Sequence, residues 1–151
     1  MLEGAKPISC KWIFKRKLRH DGTIEKYKAR LVAKGFSQKE GIDFFDIYVP
    51  ICRITTIRML IAWAAIKQFI IHQTNMKTAF LNRDLTEEIY MEKPERLDAP
   101  INKVCKLTKP LYGLKQAPKL WHEKFDKIAR SNRYRVNESD KYLYAKLLKK
   151  M

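Results

Sequence analysis

Apolar and basic residues alternate over residues 12–18, and the alternation resumes over residues 23–34 after Arg19-His20-Asp21-Gly22. A period of two on both sides of an Asp-Gly dipeptide predicts an antiparallel β-hairpin. On its second strand that period puts Lys28 and Arg30 on one face and Tyr27, Ala29 and Leu31 on the other. One face of the hairpin is therefore expected to be cationic.

Residues 35–50 carry Gly, Asp and aromatic residues without a period and read as an irregular connection. Thr55 or Thr56 is then placed to cap a helix reaching to about Gln68, with Ile57, Leu60, Ile61, Ala64 and Ala65 at helical spacing and expected in the core. Residues 69–76 read as a strand through Ile70, Ile71 and His72, followed by a break near Asn82-Arg83-Asp84. Residues 88–92 and 104–107 are short strand candidates flanking a proline-containing loop, which suits an antiparallel pair. A second helix is expected to start near Pro118, a favourable first-turn residue, with Trp121, Phe125, Ile128 and Ala129 on one stripe. Residues 142–146 read as a last strand. The order hairpin, helix, strand, hairpin, helix, strand makes the fold class α+β.

A hydrophobic content of 46% over 151 residues is enough for the core of one domain. No apolar run approaches the roughly 18 residues of a membrane span, and no N-terminal apolar segment reads as a secretory signal, so an intracellular setting (cytoplasm or nucleus) without membrane partners is expected. Cys10, Cys52 and Cys105 are too scattered for a zinc site and are expected as free thiols, and His20, His72 and His122 are equally dispersed. Charge changes the picture most. Thirty-two Lys+Arg against 16 Asp+Glu leave a net +16, with basic residues concentrated in 11–39 and 103–135. Such a surface favours a polyanionic partner, RNA or DNA, because cations that neutralise phosphates release condensed counterions.

Six blocks carry a resemblance: Cys10-Lys11-Trp12-Ile13-Phe14-Lys15, Tyr27-Lys28-Ala29-Arg30-Leu31-Val32-Ala33-Lys34-Gly35-Phe36, Arg53-Ile54-Thr55-Thr56-Ile57-Arg58, Lys77-Thr78-Ala79-Phe80-Leu81-Asn82, Glu88-Ile89-Tyr90-Met91 and Leu111-Tyr112-Gly113-Leu114-Lys115-Gln116-Ala117-Pro118. In this order they resemble the reverse transcriptase domain of copia-type retrotransposon polyproteins. The resemblance implies a partial right-hand polymerase fold, with residues 1–48 as a fingers-like hairpin and connection. Residues 49–151 would be an incomplete palm and fingers with two main helices and an antiparallel sheet, the whole a single fragmentary domain expected without thumb or ribonuclease H. Its chemistry would be two-metal nucleotidyl transfer, in which carboxylates hold Mg²⁺ ions at the reacting phosphate.

On that resemblance Asn75 occupies the position of the first metal-binding aspartate, and the backbone carbonyl of Met76 that of a further ligand. A neutral amide is a poorer Mg²⁺ ligand than a carboxylate, so no metal cofactor is expected here, although the intact family uses Mg²⁺. The resemblance further implies that Lys28 and Arg30 contact the triphosphate of a dNTP and that Phe80 excludes a ribose 2′-hydroxyl. Tyr112, Gly113, Lys115 and Gln116 would lie along nucleotide and template. Each has a plainer reading: a solvated hairpin face for the cations, core packing for Phe80, a loop-to-helix entry for residues 112–116. Arg83 stands where the family has glycine, Val49 where it has serine, and Arg96-Leu97 where it has Gly-Phe. The family's Tyr-x-Asp-Asp turn is missing from these 151 residues, so, with Asn75 in place of the first aspartate, the sequence reads as a catalytically silent piece. The alternative is a domesticated, basic nucleic-acid-binding module.

Overall fold

The computed structural model describes residues 6–98, 100 and 103–147; the ends of the expected domain bounds, 1–5 and 148–151, lie outside them. Helices and antiparallel strand pairs are both present, so the α+β class holds. The described residues form β1 (Cys10–Leu18), β2 (Ile24–Ala33), α1 (Ile54–Ile66), β3 (Ile89–Met91), β4 (Cys105–Leu107), α2 (Ala117–Ser131), β5 (Arg135–Val136) and β6 (Tyr144–Ala145). The strands pair two by two, β1 with β2, β3 with β4 and β5 with β6, each antiparallel. The described residues divide into two compact units, one within residues 1–47 and 80–121, the other within residues 48–79 and 122–151.

The first unit is built on the β1–β2 hairpin. Gly22 (φ +82°) closes its turn, and Asp21 accepts from both the backbone N–H and the hydroxyl of Thr23 at 2.9 and 2.6 Å. The register pairs Lys15 with Lys28 and Ile13 with Arg30, so the alternation sorts the side chains into a cationic and an aromatic face. Beyond the exposed arms, Ile8, Ala33, Ile89, Leu114 and Ala117 form the buried cluster, with Phe80, Leu85, Leu107 and Leu111 against it. Ile8 joins this cluster through a bridge to Met91, donating to Tyr90 O at 2.8 Å while its own carbonyl accepts from Glu92 N–H at 2.9 Å.

In the second unit several expectations are corrected. First, α1 is not capped by Thr55 or Thr56. Arg53 is its N-cap residue without a local side-chain cap, and the carboxylate of Asp140 accepts from Arg53 N–H at 3.3 Å. Second, α1 ends at Ile66 rather than near Gln68, and within it only Ala64 is buried, while Ile57, Ile61 and Trp63 are exposed. From Met59 onward α1 is apolar on every side, which gives no stripe to orient it, so helical spacing alone could not assign a core face.

Third, residues 69–76 form no strand. Gln68 turns into the left-handed region (φ +55°), and Phe69 N–H then donates to Ala64 O at 2.8 Å while Gln68 N–H donates to Ala65 O at 3.2 Å. These are paired bonds that close a helix C-terminus, and the Phe69 ring packs edge-on to Trp63 at 5.4 Å. The apolar residue that would open a strand is spent on finishing a helix. The expected last strand shortens to β6, which pairs with β5, an element the apolar pattern did not indicate. On α2, Ala129 of the expected stripe is buried, whereas Phe125 and Ile128 are 40% and 48% exposed.

Candidate functional site

The end of β2 and residues 112–116 come together in the first unit. Val32 bridges Tyr112 in parallel, and Ala33 N–H donates to Tyr112 O at 2.8 Å. So close an approach needs a residue without a side chain. A Cβ on Gly113, at φ +96°, would sit 2.0 Å from Ala33 O, and one on Gly35 would sit 2.0 Å from Gly113 O.

This junction sets Tyr112 between two expected site residues. The Arg30 guanidinium lies over its ring, 5.7 Å from the centroid, and Phe80 meets it edge-on at 4.7 Å. Lys28 lies two residues back on the same face, exposed, opposite Lys15. Repulsion from Arg30, assisted by desolvation and by Lys17 and Lys26, holds the Lys28 ammonium below its ordinary pKa. Among the described residues no carboxylate pairs with Lys28 or Arg30. A cluster of like charges without a counter-ion is poised to bind an anion.

Lys115 and Gln116 face a different neighbourhood. Gln116 is 1% exposed; its amide oxygen accepts from Gln38 Nε2 at 2.9 Å and its nitrogen donates to Asp43 O at 3.0 Å. Lys115 N–H donates to Gln38 Oε1 at 2.8 Å, its ammonium donates to Gln38 O at 3.1 Å, and the same ammonium lies 4.6 Å from the Phe44 ring centroid. These contacts hold the shape of the 112–116 segment. Gln38, the residue tying them together, was not singled out from the sequence, because a lone glutamine in an aperiodic stretch carries no pattern.

Asn75 and Met76 belong to the second unit, in the irregular stretch after α1, and both are exposed. Asn75 offers one neutral amide. Of the acids that follow in the sequence, Glu88 is engaged by the Lys106 ammonium and by Tyr90 OH at 3.0 Å. Among the described residues no group of three or more His, Cys, Asp and Glu side chains converges to hold a metal ion. This donor set does not fit Mg²⁺, which requires hard, mostly anionic oxygens in near-octahedral array. No described helix is long and apolar enough to cross a membrane.

A family profile described as "Reverse transcriptase (RNA-dependent DNA polymerase)" matches residues 2–150. The chain is 49% identical over 146 residues to the retrovirus-related Pol polyprotein from transposon TNT 1-94 of Nicotiana tabacum, covering 95% of this chain and 11% of that protein. It is 43% identical over 118 residues to the Pol polyprotein from transposon RE1 of Arabidopsis thaliana, covering 76% of this chain and 8% of that one. Against the transposon Ty1-ER2 Gag-Pol polyprotein of Saccharomyces cerevisiae the identity is 34% over 121 residues, covering 77% and 6%. The chain thus spans a small part of the length of each of these relatives. No solved structure matches it.

Proposed function

Because the chain belongs to the reverse transcriptase (RNA-dependent DNA polymerase) family, as found in the Pol polyproteins of copia-type retrotransposons, we propose that its first unit binds the phosphates of a dNTP and of RNA or DNA without carrying out nucleotidyl transfer. In this reading the hairpin serves as the fingers of a right-hand polymerase and residues 49–151 as part of its palm. Arg30 supplies a bidentate fork and Lys28 a point charge to the triphosphate. Phe80 and Tyr112 wall the sugar, and Gly113 lets backbone approach the nucleotide. Lys115 and Gln116 act by fixing that backbone through Gln38.

The observation that carries this reading is the Arg30 guanidinium held over Tyr112, beside Phe80, with no carboxylate partner among the described residues. The absence of chemistry rests on Asn75, whose amide cannot replace a charged oxygen at the position of the metal-binding aspartate.

Fluorescence anisotropy on the full chain with a labelled dNTP and a labelled single strand tests the binding. Affinity is expected to fall steeply with salt, and Lys28→Ala and Arg30→Ala should each weaken dNTP binding by about tenfold. Salt-insensitive binding, or binding indifferent to both substitutions, would contradict the proposal. Primer extension in Mg²⁺ tests the silence of the site: template-directed product from this chain would refute it.

A further inference from the structure

The second unit carries a basic cluster that the dNTP site does not use. Arg133, Arg135, Lys146 and Arg130 line a surface concavity of about 980 Å³ where the end of α2 meets β5 and β6, and among the described residues no carboxylate lines it. Asp126 is committed to Arg130, whose Nε lies 2.9 and 2.7 Å from its two oxygens, and it also accepts from Tyr144 OH at 2.9 Å. Arg133 and Arg135 have no ion-pair partner among the described residues.

Cations beyond a helix C-terminus are commonly spent on its free carbonyls. Here three of the last four, those of Ile128, Ala129 and Arg130, are already taken. Asn132 N–H donates to Ile128 O at 3.1 Å, Arg133 N–H to Arg130 O at 2.9 Å and Tyr134 N–H to Ala129 O at 3.0 Å, with Ser131 Oγ and Asn132 Nδ2 also on Ile128 O. The arginine charge is therefore surplus to the helix. Arg133 moreover sits at φ +66°, where glycine would be unstrained. Lys146 lies over the Tyr134 ring at 5.5 Å, and the β5–β6 register sets Arg135 opposite Ala145, whose small side chain leaves the concavity open.

We infer that this concavity is a second nucleic-acid contact, in which Arg133, Arg135 and Lys146 hold consecutive phosphates of a single strand. The inference rests on the nucleic-acid reading above but uses residues that the reading leaves idle. Cationic side chains without sequence-reading partners predict binding that is indifferent to base and sensitive to salt.

The test is the salt dependence of full-chain binding to a fluorescein-labelled oligouridylate. Arg133→Gly with Arg135→Ala should lower the slope of log affinity against log salt by about 1.4, roughly 0.7 for each phosphate contact on a single strand. Lys146→Ala should lower it by about half as much, and provides the reading if the double variant fails to fold in a thermal melt. Lys141→Ala, an exposed cation of the same unit outside the concavity, should leave the slope unchanged. An unchanged slope in the arginine and Lys146 variants, while Lys28→Ala and Arg30→Ala still weaken dNTP binding, would overturn this inference and leave the dNTP-site reading standing. An equal loss on Lys141→Ala would reduce the effect to net charge and also overturn it. A wild-type chain with no salt-dependent binding would sink both.

Discussion

Gly35 and Gly113 meet backbone to backbone, so closely that a methyl group on the first would overlap the carbonyl oxygen of the second. Gly113 also needs its left-handed φ to turn the chain after Tyr112. Gly113→Ala is therefore expected to destabilise the first unit by more than about 2 kcal/mol, from backbone strain and the clash with Ala33 O together. Denaturant unfolding monitored by tryptophan fluorescence measures this, and dNTP binding should be lost in parallel. A neutral substitution would mean that the Ala33–Tyr112 contact is dispensable.

Gln116→Leu should also destabilise, by about 1–3 kcal/mol, because it strands the Gln38 amide and the Asp43 carbonyl without partners in a buried place. Chemical denaturation measures the loss. A stable variant that nevertheless fails to bind dNTP would instead make Gln116 a direct ligand.

At the end of α1 the expected sign reverses. Gln68 occupies a left-handed conformation that costs a side-chain-bearing residue roughly 1–2 kcal/mol. Gln68→Gly relieves that cost but frees the unfolded chain, leaving a net gain of about 0.5 kcal/mol. A thermal melt should move upward. A downward shift would show that the Gln68 side chain contributes more than its backbone strain removes.

The elements legible in the sequence were those whose signals are local. The Asp21-Gly22 turn with alternation on either side announced the hairpin, and Pro118 announced the start of α2. The pairing of Ile89–Met91 with Cys105–Leu107 was equally readable as two short apolar runs around a proline loop. Phe69, Ile70 and Ile71 misled because strand propensity states only that a residue suits a sheet, and whether a partner strand is available is a tertiary matter. At the candidate site Arg30, Phe80 and Tyr112 were named from sequence blocks and lie together, whereas Gln38 lay hidden because its role depends on residues 78 positions away.

Asp140 makes the second unit sensitive to acid. Its carboxyl is held below the ordinary value, first by the Thr56 hydroxyl and then by the backbone of Tyr142, with Arg53 N–H and the Cys52 thiol adding to this against desolvation. Because the folded-state pKa is depressed, this stabilisation is fully present above the ordinary carboxyl value and is lost as pH falls through the folded one. Asp140→Asn should lower the melting temperature near neutrality by a few degrees and flatten its decline into acid, as read by circular dichroism melts over a pH series. An equally steep acid decline in the variant would assign the dependence to other carboxyls.

The same carboxylate gives the second unit an order of events during synthesis. The residue that closes the front of α1 lies 87 positions after the N–H it accepts from. A ribosome delivers the helix well before its cap, so a nascent chain halted short of that aspartate carries α1 with a frayed leading turn. Translation pausing between the two would prolong the interval in which the exposed apolar surface of α1 is open to chaperones.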